Sequence, residues 1–132
     1  MKYICFGHLD EKNWQKYSPE EQNAMMDECF VYDDQLRSGG HFADGYALDA
    51  PQNAATIRYG GGKVTVTDGP FTESKEILGG LLILEARDLN HAIQLISNHP
   101  GVKMGAWEIR PTVDLAGMIK ESEERRARAA TK

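Results

Sequence analysis

The apolar positions of this chain follow two different periods. Tyr3, Ile4, Cys5 and Phe6 form a short continuous run stopped by Gly7, which predicts a buried strand. His8 to Tyr17 reads as a polar linker around Trp14. At "SPEE" the period changes. Ser18 suits a helix N-cap, Pro19 the first helical position, and Glu21 completes a capping box. Met25, Cys29, Tyr32 and Leu36 then recur at helical spacing, with Met26 and Phe30 widening the apolar face. Gly39 and Gly40 end the helix.

Phe42 to Leu48 predicts a second strand, weakened by Gly45. Thr56–Tyr59 and Val64–Thr67 are short β-type runs joined by "GGGK", the pattern of a hairpin. A loop is expected over Asp68 to Gly79. "GLLILEA", Gly80 to Ala86, is apolar enough for a central strand. Leu89, Ala92, Ile93 and Ile96 mark a second helix, capped by Asp88 or Asn90 and ended by Pro100 and Gly101. Ala106 to Val113 predicts a last strand, ended or placed at a sheet edge by Pro111.

The order strand, helix, strand, hairpin, strand, helix, strand predicts an α+β fold: a ferredoxin-like βαββαβ sandwich with a β-hairpin insertion. Its domain spans residues 1–113, and residues 114–132 form a C-terminal helical extension. In that extension Leu115, Met118 and Ile119 carry a short apolar stripe, then "KESEERRARAATK" is nearly all polar. Glu121 with Arg125 and Glu124 with Arg128 are favourable i,i+4 pairs, so a solvated helix is expected. Leu82 and Leu84 share one face of the central strand, Leu81 and Ile83 the other. Helices cover only one sheet face, so the second apolar face predicts a homodimer packed sheet to sheet.

Composition narrows the function classes. The chain has 132 residues and a net charge of −5. Such a surface repels phosphate backbones, so no nucleic-acid partner is expected. No apolar run reaches the roughly 20 residues that span a bilayer, so no membrane partner is expected either. Met1 to Leu9 is too short for a signal peptide. Cys5 and Cys29 lack CxxC spacing and read as buried, reduced thiols of a cytoplasmic protein. His8, His41, His91 and His99 are not at metal-ligand spacing, so no metal site is expected. His91 reads as a solvated helix residue and His99 as a cap or loop donor.

The densest chemistry lies in "TDGPFTESKE", Thr67 to Glu76. Asp68 stands at a strand end, where Gly69 and Pro70 set the backbone angles that aim Asp68 and Phe71. Asp68 and Glu73 are the candidate proton-transfer carboxylates; a carboxyl near a second one has its pKa raised. Phe71, Lys75, Glu76, Arg110 and His8 are the candidate ligand contacts. An Asp before Gly-Pro also serves a plain turn, so the residues alone leave both readings open.

"VTDGPFTESKEILGGLLILEA" and "EIRPTV" resemble the DGPF-domain proteins of the YCII-related family, over about Met1 to Val113. The resemblance implies a ferredoxin-like fold assembled as a dimeric α+β barrel. That superfamily includes muconolactone isomerase, heme-degrading monooxygenases and peroxidases acting on dyes or chlorite. It favours the site reading of Asp68: a small molecule bound or acted on in a cavity near the DGPF loop. Many DGPF proteins are encoded beside extracytoplasmic-function sigma factors, so the alternative it implies is a ligand-sensing or regulatory protein. The cofactor is unknown; His8 and His99 keep heme open. YCII-type proteins also carry a His on the first helix and an Asp before the proline after the second helix. Here the first helix, Pro19 to Ser38, contains no His, and residue 99 is His. The expectation is that this pair is missing and that any chemistry falls to the DGPF block.

Overall fold

The computed structural model describes residues 1–131. Strand β1 (Lys2–Asp10) leads through a short helix α1 (Glu11–Gln15) into the long helix α2 (Pro19–Ser38). Strand β2 (Phe42–Ala47), the hairpin β3 (Ala55–Gly60) and β4 (Lys63–Asp68), and strand β5 (Glu76–Glu85) follow. Helix α3 (Leu89–Ser97), strand β6 (Trp107–Pro111) and helix α4 (Ala116–Ala130) complete the chain. The predicted linker after Gly7 is therefore the end of β1 plus α1, and β5 starts four residues earlier than "GLLILEA" suggests.

Four strands form one sheet in the order β2-β5-β1-β6, and β1 lies antiparallel to both β5 and β6. With the hairpin set aside, this is the ferredoxin-like order, with β5 inserted between the two strands joined through α2. The hairpin is a separate two-stranded sheet. Its turn residues Gly61 and Gly62 have φ of 60° and 79°. A tight turn with both central residues in the left-handed region demands such glycines.

Local chemistry sets the helix limits. Ser18 Oγ accepts from Glu21 N–H while Glu21 Oε1 accepts from Ser18 N–H, the reciprocal capping box. Asp88 caps α3 by accepting from His91 N–H at 2.8 Å. Tyr3, Cys5, Leu82 and Leu84 point from β1 and β5 toward the helices and meet Leu36, Ala92 and Ile96 in the core. Ile4, Phe6, Leu81 and Ile83 occupy the alternate positions, on the opposite sheet face. Tyr32 Oη donates to Leu95 O at 2.5 Å and ties α2 to α3.

His91 departs from expectation. It is buried, not solvated, and its Nδ1 accepts the Arg87 N–H at 3.1 Å. The helix turns His91 against His41, with ring centroids 5.0 Å apart. Burial, aided by the Arg87 charge and by His41, holds its pKa below the ordinary imidazole value. Helix α4 and the hairpin stand apart from this core: Leu115, Met118 and Ile119, and Ile57, Tyr59, Val64 and Val66, are all exposed. Among the described residues no helix is long and apolar enough to cross a membrane.

Candidate functional site

Two glycines create the cavity. Gly7 on β1 and Gly80 on β5 face each other across the ladder, with Trp107 and Ala47 as their outer neighbours. On this rung the two central strands carry no side chains, which leaves space between α2 and the sheet. A Cβ on Gly7 would lie 2.8 Å from the Trp107 ring, so the indole needs that glycine in order to lie across β1. Immediately afterwards the register slips between Gly7 and His8, where β5 carries the extra residue Gly79. Such a bulge re-aims the strand and is common beside active sites. The result is a cavity of about 400 Å³ between α2 and the sheet.

Most of its wall is apolar. Trp14, Met26, Phe30, Phe42, Leu82 and Met104 supply bulk. Cys29 also lines it, but burial, reinforced by the charges of Asp33 and Glu28, pushes its thiol up to about 11. It therefore stays protonated and is no nucleophile. Trp107 Nε1 is buried without a hydrogen-bond partner among the described residues.

The polar centre is a pair. Met26, Phe30, Asp33 and Arg37 follow one another at spacings of four, three and four along α2 and share the cavity wall. His99 comes from the turn after α3, where Pro100 opens a 3₁₀ turn over Pro100–Lys103. Its Nε2 lies 2.9 Å from Asp33 Oδ1, and its Nδ1 accepts the Gly101 N–H at 2.9 Å. The ring is held edge-on by Tyr32 at 5.3 Å and tilted against Trp107 at 5.2 Å. The His99 side chain is 5% exposed and that of Asp33 18%.

This corrects the expectation that the His-Asp pair is missing. A pair is present on the same two elements, with the residue types exchanged: Asp on the long helix, His before the proline. The sequence did hold a signal. Asp33 is four residues past Cys29 and three before Leu36, so a carboxylate sits on the buried stripe of an amphipathic helix.

Of Asp68, Glu73, Phe71, Lys75, Glu76, Arg110 and His8, only His8 lines the cavity, together with His99. Asp68 ends β4, exposed, with Gly69 at φ 95°. Phe71 is 75% exposed beneath the Arg58 guanidinium. Glu73 and Lys75 are exposed in the same connection, and Glu76 begins β5 half-buried. Arg110 lies on β6 opposite Ile4, on the sheet face away from the helices, 3.7 Å from Glu108. The geometry does not bring these side chains together in the cavity. Among the described residues no cluster of three or more His, Cys, Asp or Glu has the arrangement of a metal site.

A family model described as "YCII-related domain" matches residues 1–116. An uncharacterised protein of Rhizobium meliloti (strain 1021) is 27% identical over 113 residues, covering 84% of this chain and 91% of that protein. Among solved structures, 5-chloro-2-hydroxyhydroquinone dehydrochlorinase from Burkholderia phenoliruptrix AC1100, in complex with 2,5-dihydroxybenzoquinone, is similar in fold. The TM-score is 0.51 at 16% identity, covering 86% of this chain and 94% of that one.

Proposed function

The chain belongs to the YCII-related domain family, and from that premise we propose that it binds a small hydroxylated ring compound between α2 and the sheet and acts on it by proton transfer. One observation carries this reading: the Asp33–His99 pair is the hydrogen-bonded carboxylate–imidazole centre of an otherwise mostly apolar wall. Protein interiors bury such a pair at a cost unless it is fully bonded, and cavities of this size with few convergent polar groups are the usual form of a small-molecule site. The fold neighbour is a dehydrochlorinase that holds 2,5-dihydroxybenzoquinone. Its ligand is of a size that a cavity of about 400 Å³ accepts.

The working form in this reading is a homodimer. Ile4, Phe6, Leu81 and Ile83 are half-buried on the sheet face opposite the helix-packed core, and sheet-to-sheet packing of two copies would bury that apolar face. The test of the ligand reading is a thermal-shift and calorimetric screen of phenols, hydroxyquinones and aliphatic acids, followed by a crystal structure with the best ligand. The expected result is saturable binding of a hydroxylated ring with density beside Asp33. Binding only of aliphatic acids, or density only at the DGPF loop, would sink it.

A further inference from the structure

The two ring nitrogens of His99 are both committed. Nδ1 accepts a backbone N–H from Gly101, so it carries a lone pair and no proton. The remaining nitrogen, Nε2, must then carry the proton of the neutral ring and donate it to Asp33 Oδ1. A second proton on Nδ1 would face the Gly101 N–H and lose the cap of the 3₁₀ turn. His99 therefore has no free nitrogen to offer a ligand. Asp33 is in the opposite position. Its Oδ1 is held by His99, while Oδ2 makes no hydrogen bond among the described residues and belongs to a side chain that lines the cavity. Arg37, one turn further along α2, is engaged by Asp34 at 2.8 Å and lies over the Phe42 ring, so Asp33 does not share its charge in a direct bond.

We propose that Asp33 is the proton acceptor of this site and that His99 is a positioning residue, locked as the neutral Nε2–H tautomer by the backbone of its own turn. The proposal rests on the ligand reading above and assigns the roles within it. The ligand class is a weakly acidic hydroxyl compound. Its O–H proton passes to Asp33 Oδ2, the O–H electron pair stays on the ligand as an oxyanion, and Asp33 becomes a neutral acid. His99 keeps its proton throughout and holds Oδ1 in place. Tyr32 and Trp107 pack against the imidazole from two sides.

Two measurements test this. The first needs no ligand: long-range proton–nitrogen NMR of the ¹⁵N-labelled chain at neutral pH. His99 should show a bare Nδ1 and a protonated Nε2; an Nδ1–H tautomer or a doubly protonated ring overturns the proposal. The second uses 4-nitrophenol, whose phenol and phenolate forms absorb differently. At a pH below the ligand's own pKa the wild type should hold it as the phenolate, its proton having passed to Asp33, and Asp33→Asn should hold it as the phenol. A wild type that holds only the phenol, or an Asp33→Asn chain that still generates the phenolate, overturns the assignment. His99→Asn separates positioning from folding, because Asn can cap Gly101 but is too short to reach Asp33. It should fold and weaken phenol binding about tenfold, the size of one lost hydrogen bond to a charged group; unchanged binding overturns the positioning role. If the wild type binds no 4-nitrophenol at all, the ligand reading itself falls, and the ligand-free tautomer spectrum tells that failure apart from a failure of the roles.

Discussion

Asp33 and His99 lie 66 residues apart in the chain and meet at 2.9 Å, one from the middle of a helix and the other from the cap of a 3₁₀ turn. The same imidazole therefore does two jobs. It caps the start of the 3₁₀ turn after α3 and it fixes a carboxylate on α2. Losing the first job and losing the second have separable costs.

His99→Ala removes both bonds and leaves a hole beside Tyr32 and Trp107. The expected loss is about 3 kcal/mol, from the cap, the orphaned carboxylate and the lost packing. His99→Asn restores the cap and should recover about 1 kcal/mol of that. Urea unfolding of the two variants checks the difference; equal midpoints would show that the Gly101 bond contributes nothing.

Asp33→Asn and Asp68→Asn decide which carboxylate serves the ligand. Asp33 lines the cavity, whereas Asp68 is exposed at the end of β4. Titration of each variant with a ligand from the screen should show a loss of at least about tenfold for Asp33→Asn and almost none for Asp68→Asn. The reverse order would move the site to the DGPF connection.

Stability should fall with acid through His91. Its pKa in the folded chain lies below the ordinary value of about 6.5, because burial disfavours the charged ring. The unfolded chain then binds more protons than the folded one as pH drops below that value. The contribution is fully present above about pH 6.5 and is lost as pH falls through the lower folded value. His91→Gln should flatten this limb of the melting temperature against pH curve. An unchanged limb would assign it to other groups.

Leu81→Arg should convert a dimer to a monomer. The side chain stands among Ile4, Phe6 and Ile83 on the sheet face opposite the helix-packed core, and a stable interface there should bury at least about 1,200 Å². Analytical ultracentrifugation reads the outcome; a wild type that sediments as a monomer at micromolar concentration ends the dimer proposal.

Deleting residues 120–132 should leave the melting temperature nearly unchanged. The α4 apolar residues Leu115, Met118 and Ile119 are exposed, and the segment beyond is polar. A fall of several degrees would show that α4 docks on a second copy.

Much of the fold is legible because its signals are local. Ser18, Pro19 and Glu21 announce α2 within four residues, and "GGGK" announces a hairpin whose turn needs Gly61 and Gly62. The strand order follows from the βαβ pattern and the apolar runs. The site is less legible because it is assembled across distance. Gly7 and Gly80 are visible as residues, but only the register makes them neighbours. Asp33 is masked in the sequence by the adjacent Asp34, and of the two only Asp34 forms the ion pair with Arg37. His91 is not legible because apolar residues alone carry the helix pattern, and a neutral imidazole can join such a face. The conspicuous charge of "TDGPFTESKE" belongs to a connection that does not line the cavity.

The rung of Gly7 and Gly80 has a further consequence. Glycine is the smallest residue, so the floor of this chamber has already reached its lower bound in height. A side chain added at Gly7 would meet the Trp107 ring at 2.8 Å, and one added at Gly80 would meet the Tyr46 carbonyl oxygen at 3.0 Å, so substitution there displaces the indole or the neighbouring strand before it fills the chamber. Enlarging the chamber would instead require the roof, α2, to lift as a body, carrying Asp33 away from His99 as it went.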